Sequence, residues 1–89
     1  MQTLDLSSPL YGVVRDHGKR HTIRLGRRDI KLGPLVFTSS EGDLVVEVYM
    51  VIYLCVKDLS EVGIRSHQLK RFYPEITDDD EVTLVKFDL

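Results

Sequence analysis

The sequence predicts a small α+β barrel, with two short helices and four or five strands in one domain. Three observations lead there. The chain has 89 residues, 43% of them apolar, which is enough for one packed core and too few residues for a second. The stretch Leu44–Val56 is dominated by Val, Ile and Tyr, residue types that favour strands. Elsewhere Gly, Pro and Ser clusters cut the chain into short pieces.

The elements follow in order. Ser7-Ser8-Pro9 sets a hydroxyl cap ahead of a proline at the first helical position. Leu10, Val13 and Val14 recur at helical spacing and Gly18 offers a stop, so a helix is expected over 9–16. His21–Leu25 reads as a brief strand closed by Gly26, and Gly33-Pro34 punctuates the chain before a second strand, Leu35–Thr38. Ser39 to Asp43 is a polar hairpin loop. The long run Leu44–Val56 exceeds an ordinary strand of about five or six residues, so a bulge or bend is expected within it. Beyond Lys57, Leu59, Val62 and Ile64 are expected core residues. Ser66 can cap a short helix running to Phe72, which must end before Pro74. Glu75 to Glu81 reads as a solvated acidic loop, and Val82–Phe87 as a closing strand.

Composition narrows the classes of function. The formal net charge of −2 does not by itself point to a polyanion partner. The amino-terminal MQTLDLSSPLYGVV shows no basic start followed by an apolar stretch, so no signal peptide is expected. The longest apolar run, Val48–Val56, falls well short of the roughly 20 residues that cross a bilayer. A lone cysteine, Cys55, allows no disulfide within the chain and reads as a buried thiol. These features suit a soluble, intracellular, cytoplasmic protein with no membrane partner. His17, His21 and His67 lack metal-ligand spacing, and no phosphate-cradling glycine loop is visible, so neither metal nor cofactor is expected.

Charge is nonetheless segregated. Arg15, Lys19, Arg20, Arg24, Arg27, Arg28 and Lys31 face only Asp16 and Asp29 across one short segment, while Glu75, Asp78, Asp79, Asp80 and Glu81 cluster in another. Such a basic segment can gather an anionic ligand, or its cations can pair with the acidic loop. Within Gly18-Lys19-Arg20-His21-Thr22-Ile23-Arg24, a strand would turn Thr22 and Arg24 to the same face, with Lys19 at the preceding bend. A lysine point charge, a planar arginine fork and a hydroxyl form a set able to hold a nucleotide. Tyr11, Phe37, Tyr49 and Tyr53 are either core aromatics or stacking surfaces for bases, the core reading being preferred for their place in apolar segments. The long apolar strand can also be an edge that pairs with a second copy, making a dimer.

The short helix, the G-K-x-x-T-I-R element at Gly18–Arg24, the strand around Leu35–Val36 and the Tyr73-Pro74 pair before Val82–Phe87 together resemble the ASCH domain family. The resemblance spans Leu10 to Phe87. It implies a PUA-like β-barrel of about five or six strands with two short helices, and a cleft lined by the motif's Lys, Thr and Arg. It also implies RNA or nucleoside binding at the motif, Gly18, Lys19, Arg20, Thr22 and Arg24, to which the charge cluster adds Arg27, Arg28 and Lys31. Some members are amidohydrolases of N4-acetylcytidine or ribonucleases. That chemistry would place catalytic roles on Lys19 and Thr22, with the family's glutamate aligning at Val62, next to Glu61. A third reading makes the chain a protein-interaction module.

Overall fold

The computed structural model describes residues 1–6, 8–16 and 18–89, and only the backbone of Ser8, Pro9, Ser66, Gln68 and Phe72. The expected Ser7 cap and any role of His17 therefore lie outside the described residues. The elements are β1 (Gln2–Asp5), α1 (Ser8–Asp16), β2 (His21–Leu25), β3 (Gly33–Ser39), β4 (Gly42–Cys55), a 3₁₀ helix (Val56–Val62), α2 (Ser66–Phe72) and β5 (Glu81–Asp88). The strands are hydrogen-bonded in the order β1-β3-β4-β5-β2, giving an α+β chain built on one five-stranded sheet. No described helix is long and apolar enough to cross a membrane.

The chain divides into two compact units, each drawn from several stretches of sequence. The first comprises Met1–His21, Ile30–Val51 and Val85–Leu89. Here β3 and β4 form an antiparallel hairpin in unbroken register, with Leu35 opposite Val46 and Phe37 opposite Leu44. Alternation then sends Leu35, Phe37, Val46 and Val48 into the core, while Val45, Glu47 and Tyr49 face outward. β1 joins β3 in parallel, placing Leu4 beside Phe37, and the Leu6 amide extends the ladder to the Thr38 carbonyl at 2.8 Å. Helix α1 adds Tyr11 and Val14, and β5 adds Val85 and Phe87. Phe37 and Phe87 meet edge to face at 5.0 Å between centroids.

The second unit comprises Thr22–Asp29 and Ile52–Leu84. It has a core cluster of its own, where the length predicted only one: Val56, Leu59, Leu69, Ile76 and Val82, with Ile23, Leu54, Ile64 and Tyr73 packed against them. The 3₁₀ helix ends because Gly63 turns left-handed at φ 79°, which returns the Ile64 amide to the Leu59 carbonyl. The acidic segment is pinned: the Val56 and Lys57 amides bond the carbonyls of Asp80 and Asp78, and the Asp80 carboxylate accepts the Thr77 amide at 2.8 Å.

Several expectations are corrected. Val62 is 37% exposed rather than a core residue, because it ends the 3₁₀ helix just before the chain reverses at Gly63. Tyr11 takes the inward place on α1 that Val13 was expected to share. Tyr49, read as core, is half exposed because Val46 and Val48 fix the inward phase of β4. Cys55 is half-buried rather than buried. Helix α2 begins at Ser66, so the capping position falls to Arg65, one residue earlier than expected. The strand β1 and the 3₁₀ helix were not anticipated. β4 extends from Gly42 to Cys55, with residues 42–51 in the first unit and 52–55 in the second.

Candidate nucleic-acid interface

The basic segment contributes to both units, and each part has its own local construction. In the first unit, Gly18 is left-handed at φ 73°, a conformation that glycine adopts without the steric cost a side chain would add. That turn ends the connection from α1 and leads into β2. Arg20 Nη1 donates to the Val14 carbonyl at 2.7 Å and to the Lys19 carbonyl at 3.0 Å. The first of these is one of the last carbonyls of α1, which the helix itself leaves without an intrahelical donor, so Arg20 caps the helix end. The Phe87 amide bonds the Arg20 carbonyl at 3.0 Å and fixes the start of β2 beside β5. His21 follows, half-buried, and its pKa is lowered by burial first and then by the positive charges of Lys19 and Lys86. Lys19, His21 and Lys86 thus form a cationic neighbourhood in this unit. Lys31 is exposed, and its backbone amide and carbonyl are both held by the Gln2 side chain. Arg15 pairs with Asp16 at 2.8 Å and lies 5.2 Å from the Tyr11 ring centroid.

In the second unit, Thr22 is 5% exposed on β2, Arg24 is half-buried on the same strand, and Glu61 is exposed on the 3₁₀ helix. The turn after β2 is the most constructed part of the basic segment. Gly26, at φ 80°, donates its amide to the Glu81 carbonyl at 2.7 Å. The buried Thr83 hydroxyl donates to the Gly26 carbonyl at 2.7 Å and accepts the Arg28 amide at 2.8 Å. The Tyr53 hydroxyl donates to the Arg28 carbonyl at 2.8 Å. Four hydrogen bonds therefore fix the backbone of the residues on either side of Arg27. The Arg27 guanidinium lies over the Tyr53 ring, 3.9 Å from its centroid, and its Nη1 stands 4.0 Å from a Glu81 oxygen. Arg28 Nε donates to the Leu25 carbonyl at 3.2 Å.

The acidic segment finds cations of its own. Lys57 meets Asp79 at 3.3 Å and Lys70 meets Asp78 at 4.0 Å, and the Asp79 contact raises the Lys57 pKa. Of the basic segment, Arg27 reaches the end of this region at Glu81. An open depression of about 430 Å³ is lined by Leu25, Tyr73, Pro74, Glu75, Ile76 and Asp80. Its carboxylates make it a poor place for an anion. Among the described residues, no group of three or more His, Cys, Asp or Glu is placed to hold a metal ion.

Thr83 and Lys86 were not among the residues the sequence singled out. Thr83 sits in an apolar strand at an inward position, and a hydroxyl there has to find a polar partner when buried. That requirement was the available signal. Lys86 carries no pattern that ties it to His21 before the strands are paired. No protein-family model matches the chain, and comparison with curated proteins yields no match.

Proposed function

We propose that this chain is an RNA-binding domain of the ASCH type, PUA-like in fold, that grips RNA through the basic segment Gly18–Lys31. The observation that carries the reading is the turn at Gly26–Arg28, whose backbone is fixed by Thr83, Tyr53 and Glu81 while the side chain of Arg27 remains 65% exposed. An exposed cation on an otherwise mobile turn pays side-chain and backbone entropy on binding, and a pinned turn has already met the backbone part of that cost. Lys19 and Lys86 beside His21 add positive charge in the first unit. Arg24, Arg28 and Lys31 complete the set of cations suited to phosphate.

Burial of Thr22 to 5% favours binding over hydrolysis, since a reacting hydroxyl has to meet its substrate. The hydrolytic reading would instead use Lys19 and Thr22, with Glu61 relaying a proton, on N4-acetylcytidine.

The test is an RNA titration at several salt concentrations. Binding through phosphates predicts that affinity falls steeply with salt, with a logarithmic slope of about −0.7 per contact for a single strand. Arg28→Ala should weaken binding about equally for all RNA sequences and make that slope shallower. Salt-independent binding of a nucleoside, or hydrolysis of N4-acetylcytidine that disappears in Lys19→Ala, would replace this reading with the enzymatic one.

A further inference from the structure

We infer that the Arg27–Tyr53 pair is a stacking platform for one unpaired base, which makes single-stranded RNA the preferred ligand of this domain; the inference rests on the RNA-binding reading above. Phosphate recognition alone needs only a positive charge near the strand. The geometry here is more specific. The guanidinium lies 3.9 Å above the centre of the Tyr53 ring, so one face of its plane is covered by an aromatic ring. The side chain is nevertheless 65% exposed, so the cation that the ring backs remains accessible from solvent. Glu81 approaches Nη1 no closer than 4.0 Å, a loose contact with one end of the guanidinium.

Both partners are held in place. The Tyr53 hydroxyl bonds the Arg28 carbonyl, fixing the ring against the same turn that carries Arg27. The Thr83 hydroxyl bonds the residues on either side of Arg27, and the Gly26 amide bonds Glu81. A planar, weakly hydrated cation backed by an aromatic ring is a surface on which a third flat group can stack. Nucleobases splayed out of single strands stack on such guanidinium planes, whereas bases inside a duplex keep their faces covered by their neighbours. The stacked base would lie outermost, with Arg27 between it and Tyr53, while Arg28 stays beside the adjoining phosphate.

The test uses the full chain and a short single-stranded RNA carrying one 2-aminopurine, compared with the same strand made abasic at that position and with its duplex. The wild type should quench the probe and prefer the single strand over the duplex. Arg27→Lys keeps the charge but removes the plane, and should weaken single-strand binding about tenfold while leaving the salt slope unchanged. Tyr53→Leu should do the same, and Tyr53→Phe, which keeps the ring but loses the bond to the Arg28 carbonyl, should lose less affinity than Tyr53→Leu. Arg27 is exposed, so its lysine variant reports on binding even if Tyr53→Leu disturbs folding. Equal affinity of Arg27→Lys and wild type, equal binding of the abasic strand, or equal binding of the duplex would overturn the platform while leaving RNA binding in place. Absence of any salt-dependent RNA binding by the wild type would overturn both readings.

Discussion

The Thr83 hydroxyl bridges the backbone on both sides of Arg27, donating to the Gly26 carbonyl at 2.7 Å and accepting the Arg28 amide at 2.8 Å. Thr83 itself is fully buried in β5. A side chain that would otherwise be an uncompensated hydroxyl in an apolar strand instead organises the turn that displays the arginines.

Thr83→Val keeps the shape of the side chain and removes both bonds. It leaves a carbonyl and an amide without their partner in a partly buried turn, which costs about 1–3 kcal/mol. For a chain of this size that lowers the melting temperature by roughly 4–8 °C per kcal/mol. RNA affinity should fall further than the loss of folded protein explains, because the turn becomes mobile. Thermal denaturation beside an RNA titration separates the two effects. A variant that melts earlier yet binds like the wild type would show that pinning the turn does not matter for the ligand.

The sequence disclosed much of the fold because several elements obey strong local rules. β2 and α2 fall within the ranges expected from their breakers, Gly26 and Pro74, and the hairpin between β3 and β4 lies where the polar run Ser39–Asp43 placed it. β1 escaped notice because Gln2–Asp5 contains one strand-favouring residue, Thr3, and is held by parallel pairing with β3, a long-range effect that no local pattern announces. The site was legible as a cluster of charge but not as a construction. Arg20 looks like any other cation in the sequence, and only the structure shows its Nη1 capping α1. Tyr53 carried both a core and a stacking reading, and the choice between them depends on where the turn after β2 comes to rest.

The capping role of Arg20 leads to a stability prediction. Arg20→Ala removes donors from the Val14 carbonyl near the end of α1, at a cost of about 1–2 kcal/mol, since hydrogen bonds from charged donors exceed neutral ones. Arg20→Lys should recover part of that loss, because lysine can also reach helix-terminal carbonyls. Chemical denaturation reads both variants. If Arg20→Ala unfolds at the wild-type midpoint, the contact contributes nothing to stability.

Core packing of the first unit gives a second. Phe37 and Phe87 are fully buried and in edge-to-face contact, so Phe37→Leu loses ring area and an aromatic pair. About 1–2 kcal/mol should be lost. Val45→Thr, on the outward side of β4, should stay within about 0.5 kcal/mol of wild type. Equal effects of the two substitutions would mean that the inward phase of β3 and β4 has been assigned to the wrong faces.

His21 supplies a pH dependence whose sign is fixed by its surroundings. Burial, then the charges of Lys19 and Lys86, make the folded protein resist protonation of His21 at its ordinary value of 6.5. The unfolded chain takes up that proton as pH falls through about 6.5, while the folded chain takes it up only at lower pH. Unfolding is therefore accompanied by proton uptake in this window, and stability declines as pH falls below about 6.5. Above that range the histidine is neutral in both states and contributes no pH dependence. Melting temperatures measured at pH 7.5 and pH 5.5 should show a drop in the wild type that is smaller in His21→Gln. An equal drop in both proteins would mean that His21 is not the source of the acid sensitivity. Phosphate bound beside Lys19 and Lys86 would offset their charges and make the protonated histidine easier to hold. RNA affinity should accordingly rise between pH 7.5 and pH 5.5 in the wild type and stay flat in His21→Gln, which ties the same side chain to the ligand as well as to the fold.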